Sequence, residues 1–288
     1  MYTIFDPHLL RLSGEVLDYV DLVAKAGIEG LGGLTSKLLD DEKKAIETAK
    51  RMWDLGLKWG VMFTPVDFYA ANVDDDTFDA GIETLKRQCD VAQKIGVQFA
   101  YNHVWSSNDD REYAKNFDWH VRRIKRVQRV FFDRGIFYGL EFLGPRDVLH
   151  RYKHEFVHTI TGVVSLADAA GGETGFLFDT YHWYCEGSRM DDLYFALQNT
   201  DRMCGFHLND GVAGRSREEQ KDLERAMPMT TGLIDSSFVY NLFNKHGYKG
   251  PVVIEPLQPS ISRFQAMTAG KCVEELKEAY QRVAGNDK

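Results

Sequence analysis

The chain has 288 residues, 44% of them hydrophobic, with 43 acidic against 35 basic residues and a formal charge of −8. That length holds one large domain or two small ones and is ample for a buried core. The acidic balance argues against phosphate backbones and anionic membranes as partners, and no run of 18 apolar residues offers a transmembrane helix.

The start, Met1-Tyr2-Thr3-Ile4-Phe5-Asp6, lacks the basic opening and long apolar core of a signal peptide. Cys89, Cys185, Cys204 and Cys272 are scattered without a CxxC spacing and read as free thiols. Both features point to a reducing cytoplasm.

Strand-like and helix-like segments alternate along the chain. Residues 2–5 form a first short strand. Residues 15–25 carry an apolar stripe at helical spacing (Val16, Leu17, Val20, Leu22, Val23), and Gly27 stops it. Further strands are expected at 28–33, 57–64, 97–103, 136–141, 175–179, 203–208 and 252–255. Helices are expected at 41–55, 74–94, 109–134, 159–170, 191–197, 235–245 and 270–283. Residues 175–179 are the clearest strand: an apolar run too short for a helix, bounded by glycines and ended by Asp179. The basic cluster Arg122-Arg123-Lys125-Arg126-Arg129 reads as the solvated face of its helix rather than a nucleic-acid patch.

Eight strands alternating with helices imply parallel pairing through right-handed crossovers. Eight such units in roughly 250 residues make an α/β fold of the (β/α)8 TIM-barrel type, here a single domain over residues 1–288. An open doubly wound sheet is the alternative, but no GxGxxG opens a helix after the first strand.

In such a barrel the active site lies where the strands end. Strand five ends on Glu141, strand six on Asp179, strand seven on His207 and strand eight on Glu255. Three carboxylates and an imidazole side by side would repel one another and lose hydration. One divalent metal ion per chain removes both objections. Oxygen-rich ligation with a single imidazole suits Mn²⁺, with Mg²⁺ or Co²⁺ as alternatives and Zn²⁺ less expected. One such acid alone is as readily a buried carboxylate paired with Lys or Arg. The four together, with no basic residue in their segments, are not explained that way.

The segments Leu140-Glu141, Asp179-Thr180-Tyr181-His182-Trp183, His207-Leu208-Asn209-Asp210 and Val253-Ile254-Glu255-Pro256 resemble the xylose isomerase-like sugar isomerase and epimerase superfamily. The resemblance covers nearly the whole chain. It is nearest in appearance to the ketose 3-epimerases and the inosose isomerase and dehydratase group, which C-glycoside-cleaving enzymes also resemble. It implies that Glu141, Asp179, His207 and Glu255 ligate the metal. It further implies that Glu141 and Glu255 exchange protons on opposite sides of a keto sugar, and that His182 binds substrate or a metal-bound oxygen. In the ketose epimerases an arginine closely follows the strand-seven histidine. Here position 213 is Ala and the loop over 211–231 is enlarged, which leaves Arg225 better placed for substrate than Arg215 or Arg217. His103, Trp105, Trp183 and Phe68 are further substrate-facing candidates, each with structural packing as the plain alternative. Asn209 and Asp210 either steer His207 or cap the turn after it.

The chemistry joining these residues is carboxylate-mediated proton abstraction next to a carbonyl, through a metal-stabilised enediolate. Return of the proton gives a sugar or cyclitol isomerase or epimerase, which is the primary expectation. With a leaving group β to the carbanion, the same start gives a lyase or dehydratase on a keto-inositol or 3-keto glycoside, including C-glycoside cleavage. An endonuclease IV-like phosphodiesterase would need more metal ligands and a basic groove, and a non-catalytic barrel would not need the four ligands. The expected partners are a small-molecule carbohydrate or cyclitol and further copies of the chain in a homo-oligomer. A second small subunit joins them if the lyase reading holds. The long loop and the alanine at 213 point to a carbonyl-bearing polyol larger than a bare ketohexose.

Overall fold

The computed structural model describes residues 1–66 and 74–285. Its strands are β1 (Tyr2–Phe5), β2 (Gly30–Leu31), β3 in two pieces (Lys58–Trp59 and Val61–Phe63), β4 (Phe99–Val104), β5 (Phe137–Phe142), β6 (Gly175–Asp179), β7 (Met203–Leu208) and β8 (Pro251–Ile254). All pair in parallel, and β8 returns to β1 through Tyr2 opposite Pro251. The two ends of the sheet are the two pieces of β3. Only Gly60 separates them in the chain, so the nine segments are eight strands of one barrel. This is the (β/α)8 architecture the alternation predicts.

Local chemistry sets the helices between the strands. The Asp74 side chain accepts the Thr77 amide and caps the helix Asp75–Lys94, and Asp41 does the same for Glu42–Asp54. Gly27, at φ +78°, closes Val16–Ala26 in a conformation that a β-carbon would strain. In the basic helix, Tyr113–Phe132, Arg122, Lys125, Arg126 and Arg129 are exposed as the sequence suggests, and Arg123 is the exception. Arg123 is buried against Phe78 and Trp119 and pairs with Asp75, while Arg126 and Arg129 pair with Asp79 and Asp133. Among the described residues no helix is long and apolar enough to cross a membrane. All four cysteines are buried, free thiols.

A layer of Val61, Tyr101, Leu177 and Cys204 packs together on β3, β4, β6 and β7. Gly139 gives it room, because a side chain there would run into Cys204 Sγ. Two residues on, the same strand faces carry His103, Glu141 and Asp179, since strand side chains alternate with period two. Packing residues and chemical residues therefore share one face.

Candidate metal centre

Parallel register brings the strand ends level. His207 on β7 lies opposite Asp179 on β6, and His103 on β4 lies opposite Glu141 on β5. Glu255 follows directly after β8. One donor atom from each of Glu141, Asp179, His207 and Glu255 lies within 4.8 Å of the others, and all four residues are buried. From His207 Nδ1 it is 3.2 Å to Glu255 Oε2, 3.5 Å to Glu141 Oε1 and 3.8 Å to Asp179 Oδ2. Ligand bonds of about 2.2 Å put neighbouring donors of an octahedron about 3.1 Å apart and opposite ones about 4.4 Å apart. The observed spacings are those of a slightly expanded set.

Hydrogen bonding tests the fit independently. His103 Nε2 approaches Glu141 Oε2 to 2.9 Å. Even so, neither oxygen of Glu141 nor Nδ1 of His207 completes a hydrogen bond among the described residues. Buried polar atoms without partners are rare and costly, and a cation at their convergence would satisfy them together. The residues present fit a divalent ion.

Asp179 is held from behind. Its Oδ1 accepts the Tyr181 amide at 2.6 Å, and Asn209 Nδ2 lies 3.1 Å from both of its oxygens. Arg225 closes the other side. Its Nη1 donates to Glu255 Oε2 at 2.5 Å and to Asp179 Oδ2 at 2.8 Å.

Protonation follows from this crowding when no cation is present. Burial raises Asp179 to about 7, with Glu141 and Glu255 adding to the effect against the pull of Arg225. Burial also pushes Glu255 up, but Arg225 and His207 outweigh it and leave it at about 2. Glu141 is likewise held well below the usual carboxylate range, because His103 and His207 beside it overcome its burial. Burial lowers His207, yet Glu255 and Glu141 carry it well above an ordinary imidazole. His182 is pressed the other way, first by burial and then by Arg225.

His182 lies inside a short helix, Thr180–Cys185, and is fully buried. Its Nε2 is 3.8 Å from Glu141 Oε1 and 4.0 Å from Asp179 Oδ2, next to the four donors but outside the group. His103 has a side chain 33% exposed and joins Glu141 to the barrel mouth. Arg225 reaches the centre from the enlarged loop, where Glu224–Arg225 pairs with Gln258–Pro259 and Ala226 pairs with Asp210.

Trp183 and Trp105 have packing partners. Trp183 is buried against Phe178 and donates its indole N–H to the Arg189 carbonyl. Both contacts are packing within the fold. Trp105 is half-buried beside Tyr152, under the Arg151 guanidinium. Phe68 lies outside the described residues.

Tyr101 and Asp222, both at the centre, escape sequence reasoning. Tyr101 sets its ring edge-on against His207, 5.6 Å between centroids. Its place two residues before His103, on the same strand face, is the signal that marks it. Asn209, expected to steer His207 or cap the turn after it, directs its side-chain amide to Asp179. Asp222 takes the Arg225 Nη2 at 3.2 Å, and no local pattern announces it. A cavity of about 320 Å³ opens beside His207 and Tyr101, walled by Leu34, Val61 and Phe63, with Asp6 among its lining residues.

Solved structures share this architecture. A xylose isomerase domain protein from Alicyclobacillus acidocaldarius is 21% identical, with 98% of this chain and 97% of that one covered and a TM-score of 0.79. The IolI protein, solved with a binding zinc atom, is 16% identical, with 98% of both chains covered and a TM-score of 0.79. The E. coli 3-keto-D-glucoside 4-epimerase is 14% identical, with 99% of this chain and 100% of that one covered and a TM-score of 0.74. At such identities the likeness is one of fold. No curated protein matches the chain in sequence. The family model for the xylose isomerase-like TIM barrel matches residues 20–278, and the chain belongs to that family.

Proposed function

We propose that the chain is a divalent-metal-dependent isomerase or epimerase of a sugar or cyclitol. In this reading Glu141, Asp179, His207 and Glu255 hold the metal, and Glu141 and Glu255 transfer protons. The observation that carries it is the convergence of four buried donors within 4.8 Å, with both Glu141 oxygens and His207 Nδ1 left without a hydrogen bond among the described residues. A cation bound there would supply Lewis-acid polarisation of a substrate carbonyl and its neighbouring hydroxyl.

The remaining work falls to side chains. Glu141 takes the proton from the carbon beside the carbonyl. His103, 2.9 Å from its Oε2 and partly exposed, gives that proton a route toward the mouth. Glu255, three strands further round the barrel, returns a proton from another direction. Asn209 and the Tyr181 amide keep Asp179 in one orientation throughout. Arg225 and His182 border the donors and grip substrate oxygens. The cavity beside His207 is about 320 Å³, within the roughly 300–1,000 Å³ usual for small-molecule sites, which supports a small-molecule substrate. Three oxygens and one nitrogen suit Mn²⁺, and the zinc in the IolI structure makes Zn²⁺ the ion to compare with it.

The test is solvent exchange. Metal-loaded protein is incubated in deuterated water with ketoses, inososes and 3-keto glycosides, and proton spectra are followed. Deuterium should enter at the carbon beside the carbonyl of at least one class. No exchange on any of them, with metal bound, would overturn the reading.

A further inference from the structure

We infer that Arg225 is a resident cation that the metal must displace, so that this side chain sets how tightly the site takes a divalent ion. The inference rests on the metal reading above. Arg225 Nη1 donates to Glu255 Oε2 and Asp179 Oδ2, the same two oxygens that lie 3.2 and 3.8 Å from His207 Nδ1. One guanidinium nitrogen thus stands on two of the donors a metal would use. The residue is buried, so solvent does little to screen its charge from a dication at that place.

A second observation concerns His182, which meets a donor at each ring nitrogen. The Gly144 amide points at Nδ1 at 3.3 Å, and Arg225 Nη2 lies 3.2 Å from Nε2. A neutral imidazole has one accepting nitrogen, so the two contacts are not both hydrogen bonds. With Arg225 withdrawn, Nδ1 keeps the Gly144 amide. The Nε2 proton then faces Glu141 Oε1, 3.8 Å away, instead of another donor.

The side chain also has a hold outside the donor set. Arg225 Nε donates to the Asp222 carbonyl at 3.0 Å and Nη2 to Asp222 Oδ1 at 3.2 Å, with the guanidinium over the Tyr181 ring. The Asp222 carbonyl and the Tyr181 ring can therefore keep the side chain in place while the rigid guanidinium plane swings Nη1 and Nη2 off the two carboxylates and His182. Without metal the chain neutralises its own carboxylates with Arg225. With metal, Nη1 is released to face substrate.

The experiment compares metal-stripped wild-type protein with R225M and R225K, at one pH and salt concentration, titrated with Mn²⁺ in a calorimeter. Removing a positive charge this close to a dication should tighten binding at least about tenfold in R225M. R225K loses the forked grip and should tighten it by a smaller factor. The rise in thermal midpoint on adding Mn²⁺ should be larger in R225M than in wild type. Equal or weaker binding in R225M would overturn the inference and make Arg225 a group that positions the carboxylates for metal. If R225M does not fold without metal, R225K decides by the same comparison. Absence of binding in wild type and variants alike would overturn the metal reading itself.

Discussion

Asp210 is the residue on which the enlarged loop depends. It is fully buried and accepts five backbone amides. Gly211 and Ile234 donate to Oδ1 at 2.9 and 3.0 Å, and Thr230, Thr231 and Gly232 donate to Oδ2 at 3.1, 2.8 and 3.0 Å. Its backbone also pairs in both directions with Ala226, the neighbour of Arg225. One carboxylate therefore ties both ends of the loop to the segment that delivers the arginine. A hydrogen bond to a charged group is worth about 1.5–3 kcal/mol. Five bonds to one carboxylate do not add, and breaking a buried network of this kind costs about 3–5 kcal/mol. Asp210→Ala should lose stability in that range. Asp210→Asn keeps one oxygen, turns an NH₂ toward at least two amides, and should fall between alanine and wild type. Urea unfolding of the metal-free protein gives the stability, and limited proteolysis should show faster cleavage within 211–231. A loss under about 1 kcal/mol for Asp210→Ala, with cleavage unchanged, would refute this reasoning.

Other expectations follow from the same geometry. Glu141→Gln and Glu255→Gln keep an oxygen ligand but lose the base, so each should bind some metal and lose at least about a hundredfold in turnover. Normal turnover in both, measured at full metal loading, would remove the two-carboxylate mechanism. His182→Ala should retain metal and lose turnover, and loss of the metal as well would put His182 among the ligands. His120, far from these groups in sequence, is buried against Phe156 and lowered by burial to about 3. The unfolded chain takes that proton near 6.5, so between pH 6.5 and 3 the unfolded state binds more protons and stability is lost as the pH is lowered. His120→Gln should lose about 2 kcal/mol less than wild type on going from pH 7 to pH 5, as read from urea titrations. Equal losses would mean that the imidazole is accessible to protons in the fold.

The barrel and its four donors were legible because both rest on local pattern. Strand period and strand end are sequence features, and residues 175–179 and 203–208 form the strands their apolar runs predict. The glycine-rich stretch 28–33 pairs only over Gly30–Leu31, where backbone contact with both neighbours is possible. The helix Thr180–Cys185 hides behind aromatic and β-branched residues with modest helix propensity. It forms because Asp179, already at the strand end, caps it. That unseen helix is why Trp183 faces Phe178 and why His182 is buried rather than turned outward. Arg225 lies 18 residues beyond His207 in the chain. What brings it to the centre is pairing with Gln258–Pro259 and the Asp210 anchor, which no local rule encodes.

The central claim is that Glu141, Asp179, His207 and Glu255 hold one divalent ion, and anomalous diffraction tests it most directly. Crystals grown with Mn²⁺ would be measured at the manganese edge. The account predicts a single strong peak per chain, within about 2.5 Å of one donor atom from each of the four side chains. No peak there, or a peak bound by other residues while Asp179 and Glu255 remain paired with Arg225, would contradict it.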